Sequence, residues 1–240
     1  MKQLRASGGI WLSLDETQVM IDPGPGSLVR CLSSRPKLNP ADLDGILLTH
    51  RHLDHSNDVN IMIEAMTNGG FKKRGIVFAP GDALEGDPVI LKYVRNQVER
   101  IEVLKAKGKY QIGNISFETP VRFKHGVETY GLNIKGKHHC ISLITDTDFF
   151  PALPSYFPGD ILIINVVMLQ DKPAIEHLSL SEAERIIAKN KPRLALLTHF
   201  GMGMVKAKPW VLAEQLSQRV GTSVLAAQDG MEVDLDSYLK

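Results

Sequence analysis

Short apolar runs bounded by glycine, proline and polar residues recur along the chain, a pattern that predicts buried β-strands joined by turns. Residues 110–145 carry several shorter runs of this kind and predict a meander, with Lys135-Gly136-Lys137 as a hairpin turn. The remaining buried strands are predicted at residues 19–21, 45–48, 76–78, 161–166, 194–197 and 224–226.

Apolar residues at helical spacing fill most of the intervals between these strands. A helix is predicted over residues 59–66 with Asp58 as its cap, and another over residues 181–189, opened by the capping box Ser181-Glu182-Ala183-Glu184. Further helices are predicted over residues 88–106 and 210–219. Helices that alternate with two β-rich halves favour an α/β (α+β) sandwich with its helices outside.

The composition is that of an ordinary globular protein, with 43% hydrophobic and 23% charged residues. No linker, repeat or low-complexity tract interrupts the alternation of elements, so we expect a single domain over residues 1–240. The formal net charge of +1 provides no general attraction for a polyanion, which argues against a nucleic-acid-binding protein.

Cysteine content and hydropathy favour a cytoplasmic protein. Cys31 and Cys140 can form at most one bridge and lie in apolar contexts typical of free thiols, as expected in a reducing compartment. The polar segment at residues 1–10 lacks the apolar core of a signal peptide. The longest apolar run, residues 161–169, is far shorter than the about 20 residues that cross a membrane, so we expect no membrane partner.

The densest cluster of metal-binding side chains follows directly on the apolar run at residues 45–48. His50, His52, Asp54 and His55 place three imidazoles and a carboxylate within six residues. Because α/β proteins carry their chemistry at the carboxyl ends of strands, this loop predicts a metal site.

Three further candidate ligands come later in the chain, and each follows a predicted strand: His125, Asp146 and His199. Strands of one sheet bring their carboxyl ends to a common edge, so we expect these side chains to converge with the early loop. The resulting seven ligands are enough for two divalent ions. Five imidazoles and two carboxylates without cysteine suit Zn²⁺ first, with Mn²⁺ or Fe as alternatives.

The order of these residues, His-x-His-x-Asp-His followed by a His, an Asp and a final His, resembles that of the metallo-β-lactamase superfamily of binuclear hydrolases. The resemblance implies a four-layer αββα metallo-β-lactamase sandwich. It also implies a metal-bridging hydroxide as nucleophile, with Asp54 placed to orient it or to take its proton. Asp22 and Gly24 resemble the early Asp-x-Gly turn of the family, which implies that they support the ligand loop. The implied ligand sets are His50, His52 and His125 for one ion, Asp54, His55 and His199 for the second, and Asp146 as the bridge.

His177 lies in a loop shortly before the helix predicted over residues 181–189 and resembles the His-x-Ser/Thr element of the phosphodiesterase branch, which includes tRNase Z. That resemblance implies a catalytic role, in which the imidazole assists the phosphate and the leaving group. The alternative is an imidazole that only bonds to nearby backbone beside the helix.

The spacing of the ligands bears on the substrate. Asp146 follows His125 by only 21 positions, which leaves no room for the tRNA-binding arm of tRNase Z. With the low net charge, this disfavours tRNA and favours a phosphodiesterase for a small-molecule or short phosphodiester substrate. A thioester or lactone hydrolase of the same fold stays open, because the metal set activates water without choosing the electrophile. A non-catalytic metal-binding scaffold also stays open, and a homodimer is compatible with the sequence.

Overall fold

The structure is a computed structural model that describes residues 8–238. Residues 1–7 and 239–240, which belong to the domain predicted over residues 1–240, lie outside the described residues. The chain divides into two compact units, with the boundary between Ser116 and Phe117. The expectation of one domain stays a prediction. Within residues 8–238, no helix combines the length and the apolar composition that a bilayer crossing requires.

The first unit is built on a five-stranded sheet whose strands follow one another in sequence order. Its strands are β1 (Ile10–Leu14), β2 (Thr17–Ile21), β3 (Gly45–Leu47), β4 (Ile76–Ala79) and β5 (Arg100–Val103). β1 and β2 form an antiparallel hairpin, whereas β2 to β5 run parallel. The carboxyl ends of β2, β3 and β4 therefore lie at one edge of the sheet. Two further strands follow in sequence, β6 (Gly108–Ile112) and β7 (Ile115–Thr119).

Three α-helices accompany this sheet: α1 (Ser27–Ser33), α2 (Leu53–Ser56) and α3 (Val59–Met66). The prediction of a helix over residues 59–66 is confirmed, and its buried residues recur at the spacing of one helical face. This face packs with the buried side chains of Ile46 and Val77 in the core of the unit. Asp58 occupies the N-cap position without capping, because its carboxylate accepts a hydrogen bond from the amide of Leu28 (3.2 Å).

The prediction of a helix over residues 88–106 is wrong. The structure has a short 3₁₀ helix, Lys92–Gln97, followed by β5. The pattern identified burial correctly, since Val94 is fully buried. However, β5 pairs with β4, and the guanidinium of Arg95 donates to the carbonyl oxygen of Ile90 (2.7 and 3.0 Å). Strand pairing and a side-chain donor thus satisfy backbone groups that a continuous helix would have satisfied internally.

Within the second unit, five strands pair in the order β12-β11-β10-β9-β8. These are β8 (Leu132–Lys135), β9 (Cys140–Ile144), β10 (Ile161–Asn165), β11 (Leu194–Thr198) and β12 (Ser223–Ala226). β8 and β9 form the predicted hairpin, and β9 to β12 run parallel. The helices of this unit are α4 (Leu153–Tyr156), α5 (Leu180–Asn190), α6 (Met202–Lys206) and α7 (Pro209–Val220).

The capping box of α5 lies two residues earlier than predicted. Ser179 is the N-cap: its hydroxyl accepts from the amide of Glu182 (3.3 Å), and its own amide donates to the Glu182 carboxylate (2.9 Å). Leu180 is buried and heads the apolar face of the helix, so the helix begins at this residue rather than after Ser181. The hydroxyl of Ser181 instead donates to the carboxylate of Asp171 (2.7 Å).

A change of Gly45 to alanine tests the register of the first sheet. A Cβ atom at Gly45 would collide with the carbonyl oxygen of Ile76 on β4 and lie 2.6 Å from Cδ1 of Ile112. The carbonyl belongs to a paired strand and cannot move aside. We therefore expect Gly45→Ala to lower the free energy of unfolding by about 1–3 kcal/mol in urea denaturation.

Gly203→Ala is the matched control, because it makes the same chemical change in α6 where a Cβ atom would meet only Cβ of Leu169 at 3.7 Å. Alanine also favours helix more than glycine does. Equal losses of stability in the two variants would contradict the register assigned to Gly45.

Candidate metal centre

The ligand loop predicted in the first unit leaves the carboxyl end of β3 and runs into α2. Three imidazoles gather there: the ring centroids of His50 and His52 lie 4.9 Å apart, and those of His50 and His55 lie 4.1 Å apart. The carboxylate of Asp54 approaches Nε2 of His55 to 3.8 Å. The four side chains predicted from this segment are therefore close to one another, and His50 and His55 are buried.

The carboxylate of Asp22, at the end of β2, anchors this loop. Its Oδ1 accepts from the amide of Thr49 (2.7 Å), and its Oδ2 accepts from the Thr49 hydroxyl (2.7 Å) and from Nδ1 of His55 (2.9 Å). Because the Thr49 hydroxyl gives its proton to Asp22, it accepts one from Nδ1 of His50 (3.1 Å). Both imidazoles thus carry their proton on Nδ1, which leaves Nε2 as the nitrogen able to bind a cation.

Gly8 lies against the same loop. A Cβ atom at Gly8 would lie 2.7 Å from the carbonyl oxygens of both Asp22 and Asp54, and its φ is +61°. Only glycine fits this close approach without strain. Asp22 itself has a φ of +50°, an uncommon backbone conformation that turns its side chain toward the loop. Two residues with left-handed backbone therefore border the ligand loop.

In the second unit, Asp146 is the buried centre of a second group of polar side chains. It follows β9 and is 2% exposed. Its Oδ2 lies 3.7 Å from Nδ1 of His177 and 3.8 Å from Nε2 of His199. The ring centroids of His125 and His177 are 5.1 Å apart, and those of His177 and His199 are 6.3 Å apart. The four residues predicted from separate segments of this unit thus meet in one place.

Each of these side chains is positioned by local backbone. Nδ1 of His125 lies 3.1 Å from the carbonyl oxygen of Glu176, so Nε2 is the nitrogen able to bind a cation. His177 sits one residue before Leu178, whose carbonyl accepts from the amide of Met168 (3.2 Å) just beyond β10. His199 has a φ of +58°, a left-handed conformation that redirects the chain directly after β11.

Sequence reasoning missed Asn165, which interrupts the apolar run of β10. Its side-chain amide donates to Oδ1 of Asp146 (2.7 Å) and lies 3.3 Å from the hydroxyl of Thr145. The pairing of β9 with β10 brings the ends of these strands side by side, so the amide faces the carboxylate. A single amide within a buried apolar strand is the sequence signal that could have identified it.

Asp171 holds the segment that carries His177. Its carboxylate accepts hydrogen bonds from the hydroxyls of Ser179 and Ser181, on the other side of His177 in sequence. These two hydroxyls, Ser179 first, lower the pKa of the Asp171 carboxyl below its usual value. Hydrogen bonds between its two ends therefore hold the loop of residues 171–181, which carries His177.

The donor atoms of both units fit a divalent metal. In the first unit, ligand atoms of Asp22, His50 and His55 all lie within 4.8 Å of one another, and in the second those of His125, Asp146 and His177 do. Imidazole nitrogen and carboxylate oxygen are donors that Zn²⁺, Mn²⁺ and Fe accept. Since Asp22 already accepts three hydrogen bonds, we interpret it as the support of the ligands in its group.

Comparison with known proteins places this chain in a family. The sequence profile of the β-lactamase superfamily domain matches residues 17–200. An uncharacterized protein of Methanocaldococcus jannaschii, MJ1374, is 31% identical over 242 residues, which cover 97% of this chain and 89% of that protein.

Solved structures share the fold. The metallo-β-lactamase fold protein YhfI from Bacillus subtilis superposes with a TM-score of 0.78 at 19% identity, covering 96% of this chain and 92% of that one. A diphosphatase from the PhnP family superposes with a TM-score of 0.71 at 22% identity, covering 95% and 84%.

The fold is thus the metallo-β-lactamase fold, a mixed α/β architecture with two sheets and helices, consistent with the αββα sandwich expected from the motifs. The profile match spans more than half of the chain, and the archaeal relative spans nearly all of it. The chain belongs to the metallo-β-lactamase superfamily, whose members are mostly metal-dependent hydrolases. The resemblance inferred from the sequence is confirmed.

Replacing Asp22 tests its support of the ligand loop. Asp22→Asn keeps the shape but replaces one acceptor oxygen with a donor, so at least one bond to Thr49 or His55 is lost. We expect the affinity for Zn²⁺, measured by competition with a chromophoric chelator, to fall about 10–100-fold. Asp44→Asn is the control, because the Asp44 carboxylate accepts a hydrogen bond from the amide of Gln18 (2.8 Å) at the other end of β3, away from the ligand loop. Equal affinities of Asp22→Asn and the natural chain would contradict the assignment.

Replacing Asn165 tests the second unit in the same way. Asn165→Leu keeps the branching of the side chain but removes the amide that orients the Asp146 carboxylate. We expect a loss of about tenfold or more in Zn²⁺ affinity. Asn133→Leu removes an amide bonded to the carbonyl of Tyr156 (2.8 Å), on β8 of the same unit, and should lower stability while leaving the metal affinity unchanged. An equal loss of Zn²⁺ affinity in both variants would show that the loss comes from lower stability of the unit and not from the Asp146 carboxylate.

Proposed function

We propose that this protein is a binuclear metal-dependent hydrolase that cleaves phosphodiesters. In this proposal the seven predicted ligands hold two ions, Zn²⁺ first and Mn²⁺ or Fe as alternatives. The proposed ligands are His50, His52 and His125 for one ion, Asp54, His55 and His199 for the other, and Asp146 for both.

The geometry within each unit supports this assignment. In the first unit, the hydrogen bonds to Asp22 and Thr49 leave Nε2 of His50 and of His55 as the metal-binding nitrogens. In the second unit, one oxygen of Asp146 is held by Asn165, and the other faces His177 and His199. A carboxylate with one oxygen fixed and the other directed at imidazoles is suited to sharing between two ions.

Two divalent ions, when bound, supply Lewis acidity: they lower the pKa of a water molecule and stabilise negative charge that develops on the substrate. Because the ions activate water for attack on many kinds of substrate, other groups of the chain must determine which substrate is cleaved. Asp54, whose carboxylate is partly exposed beside His55, is the group proposed to orient the attacking water and to accept its proton.

The observation that carries the proposal is the position of His177. Its imidazole lies 3.7 Å from Asp146 and next to the rings of His125 and His199, and 22% of its side chain is exposed. It can therefore contact both the ligand cluster and a substrate from solvent. Imidazole gives and accepts protons near neutral pH, so His177 can donate a proton to the leaving oxygen of a phosphodiester. The alternative role, bonding only to backbone, is disfavoured by this proximity.

Three further observations favour a small phosphodiester. The protein of the PhnP family that shares the fold is a diphosphatase, an enzyme whose substrate contains phosphate groups. The interval of 21 positions between His125 and Asp146 and the net charge of +1 provide neither an arm nor a general attraction for tRNA.

The test compares two leaving groups. Nitrophenolate departs from bis(para-nitrophenyl) phosphate with little need of a proton, whereas phenolate departs from diphenyl phosphate less readily. For Zn²⁺-loaded protein, His177→Ala should lower kcat/KM about 10²–10⁴-fold for diphenyl phosphate and much less for the nitrophenyl ester. Bound metal, counted by atomic emission, should stay at two ions per chain.

His138→Ala is the control, since it removes an exposed imidazole that lies outside the ligand groups. Equal losses for both esters would contradict proton donation by His177. Faster cleavage of thioesters or lactones than of phosphodiesters, unchanged by His177→Ala, would favour that branch of hydrolases. Stoichiometric metal without cleavage of any of these substrates would favour a non-catalytic scaffold.

A further inference from the structure

Arg51 lies between two of the proposed metal ligands, His50 and His52, and its side chain turns to a different part of the first unit. Its Nε is 3.4 Å from Oδ2 of Asp82, and both side chains are about one-third exposed (34% and 30%). Its Nη1 also donates to the carbonyl oxygen of Asp87 at 3.4 Å. The guanidinium is therefore held beside the segment that follows β4.

The partner of Arg51 is part of a fixed structure. Asp82 belongs to the 3₁₀ turn Gly81–Ala83, which follows β4 after Pro80. Ala83 in this turn is fully buried, and its carbonyl oxygen accepts the amides of Val89 (3.1 Å) and Ile90 (3.2 Å). Because β3 and β4 are parallel neighbours, the loop after β3 and the turn after β4 lie at the same edge of the sheet. The ion pair joins these two segments.

The sign of the charge makes this contact important for a cation site. A guanidinium stays protonated at every pH that proteins encounter. A positive charge one residue from each of two imidazole ligands opposes the binding of a divalent cation. The carboxylate of Asp82 offsets that charge and keeps the guanidinium on the β4 side.

We propose that Arg51 and Asp82 form a positioning pair for the ligand loop. Asp82 holds the Arg51 side chain, which fixes the backbone between His50 and His52 and keeps the guanidinium away from the metal. Neither residue is a metal ligand. The inference rests on the proposed metal centre, and it identifies the group that couples the turn after β4 to metal affinity.

An ion pair that is one-third exposed and has no such role would contribute little to stability or to metal affinity. A positioning pair and an ordinary surface ion pair differ in how substitutions of Arg51 and Asp82 combine in their effect on metal affinity. Without Asp82, Arg51 is released beside the ligands with its charge uncompensated. Without Arg51, Asp82 has no charge to hold, and its substitution should have no further effect. A positioning pair therefore predicts strong dependence of one substitution on the other.

The experiment measures Zn²⁺ affinity of the full chain by competition with a chromophoric chelator. The variants are Asp82→Asn, Arg51→Met and the double variant. Asp82→Asn is expected to lower affinity about tenfold. In the Arg51→Met background, the same change is expected to alter affinity less than about twofold. Urea denaturation in the presence of a chelator verifies that all variants fold.

Glu184→Gln is the matched control, because it breaks an ion pair, Glu184 with Arg219 (2.8 Å), whose carboxylate is about as exposed as that of Asp82 (32% and 30%). It should leave Zn²⁺ affinity unchanged. Equal effects of Asp82→Asn in both backgrounds, or no effect in the natural chain, would overturn the positioning role while leaving the metal centre in place. Failure of the natural chain to bind Zn²⁺, Mn²⁺ or Fe²⁺ would overturn the proposed centre and the inference with it. Activity is not a readout, so a metal-binding protein without hydrolysis tests the pair equally well.

Discussion

The hydrogen bonds to the buried carboxylate of Asp22 are the constraint on which the ligand loop depends. This carboxylate accepts hydrogen bonds from the Thr49 amide, the Thr49 hydroxyl and Nδ1 of His55. The Thr49 hydroxyl in turn accepts one from Nδ1 of His50. These bonds fix the tautomers of His50 and His55 and hold the loop at the end of β3. Asp22 can do this because β2 and β3 are parallel neighbours whose carboxyl ends meet.

The second unit positions its ligands by strand pairing. Parallel pairing of β9, β10 and β11 sets Ile144 beside Ile164, and Asn165 beside Thr198. Asp146 and His199 lie just beyond these pairs, and Nε2 of His199 comes within 3.8 Å of the Asp146 carboxylate, whose other oxygen accepts the Asn165 amide. The left-handed backbone of His199 turns the chain at that point. In this unit the register of the strands positions the ligands, whereas in the first unit the Asp22 carboxylate positions them.

The chemistry of the centre comes from two sources. Imidazoles and carboxylates at strand ends provide a cation site that is common to many reactions. The loop between β10 and α5 adds His177. The residues that directly follow it are held by the Met168 amide, which donates to the Leu178 carbonyl, and by the Asp171 carboxylate, which accepts from Ser179 and Ser181. In the proposed function the first source activates water, and the second selects the leaving group.

The amino-acid sequence by itself determined the family, the fold class and the local ligand motif, because strand ends and the spacing of His50 to His55 are properties of short segments. Only the tertiary structure decided what depends on neighbours distant in sequence. β5 replaced the predicted helix because β4 offered a parallel partner, and Asn165 became the donor to Asp146 because β10 lies beside β9. The start of α5 at Leu180 likewise followed from burial of that side chain, since packing, rather than the serine pattern alone, sets where a helix begins.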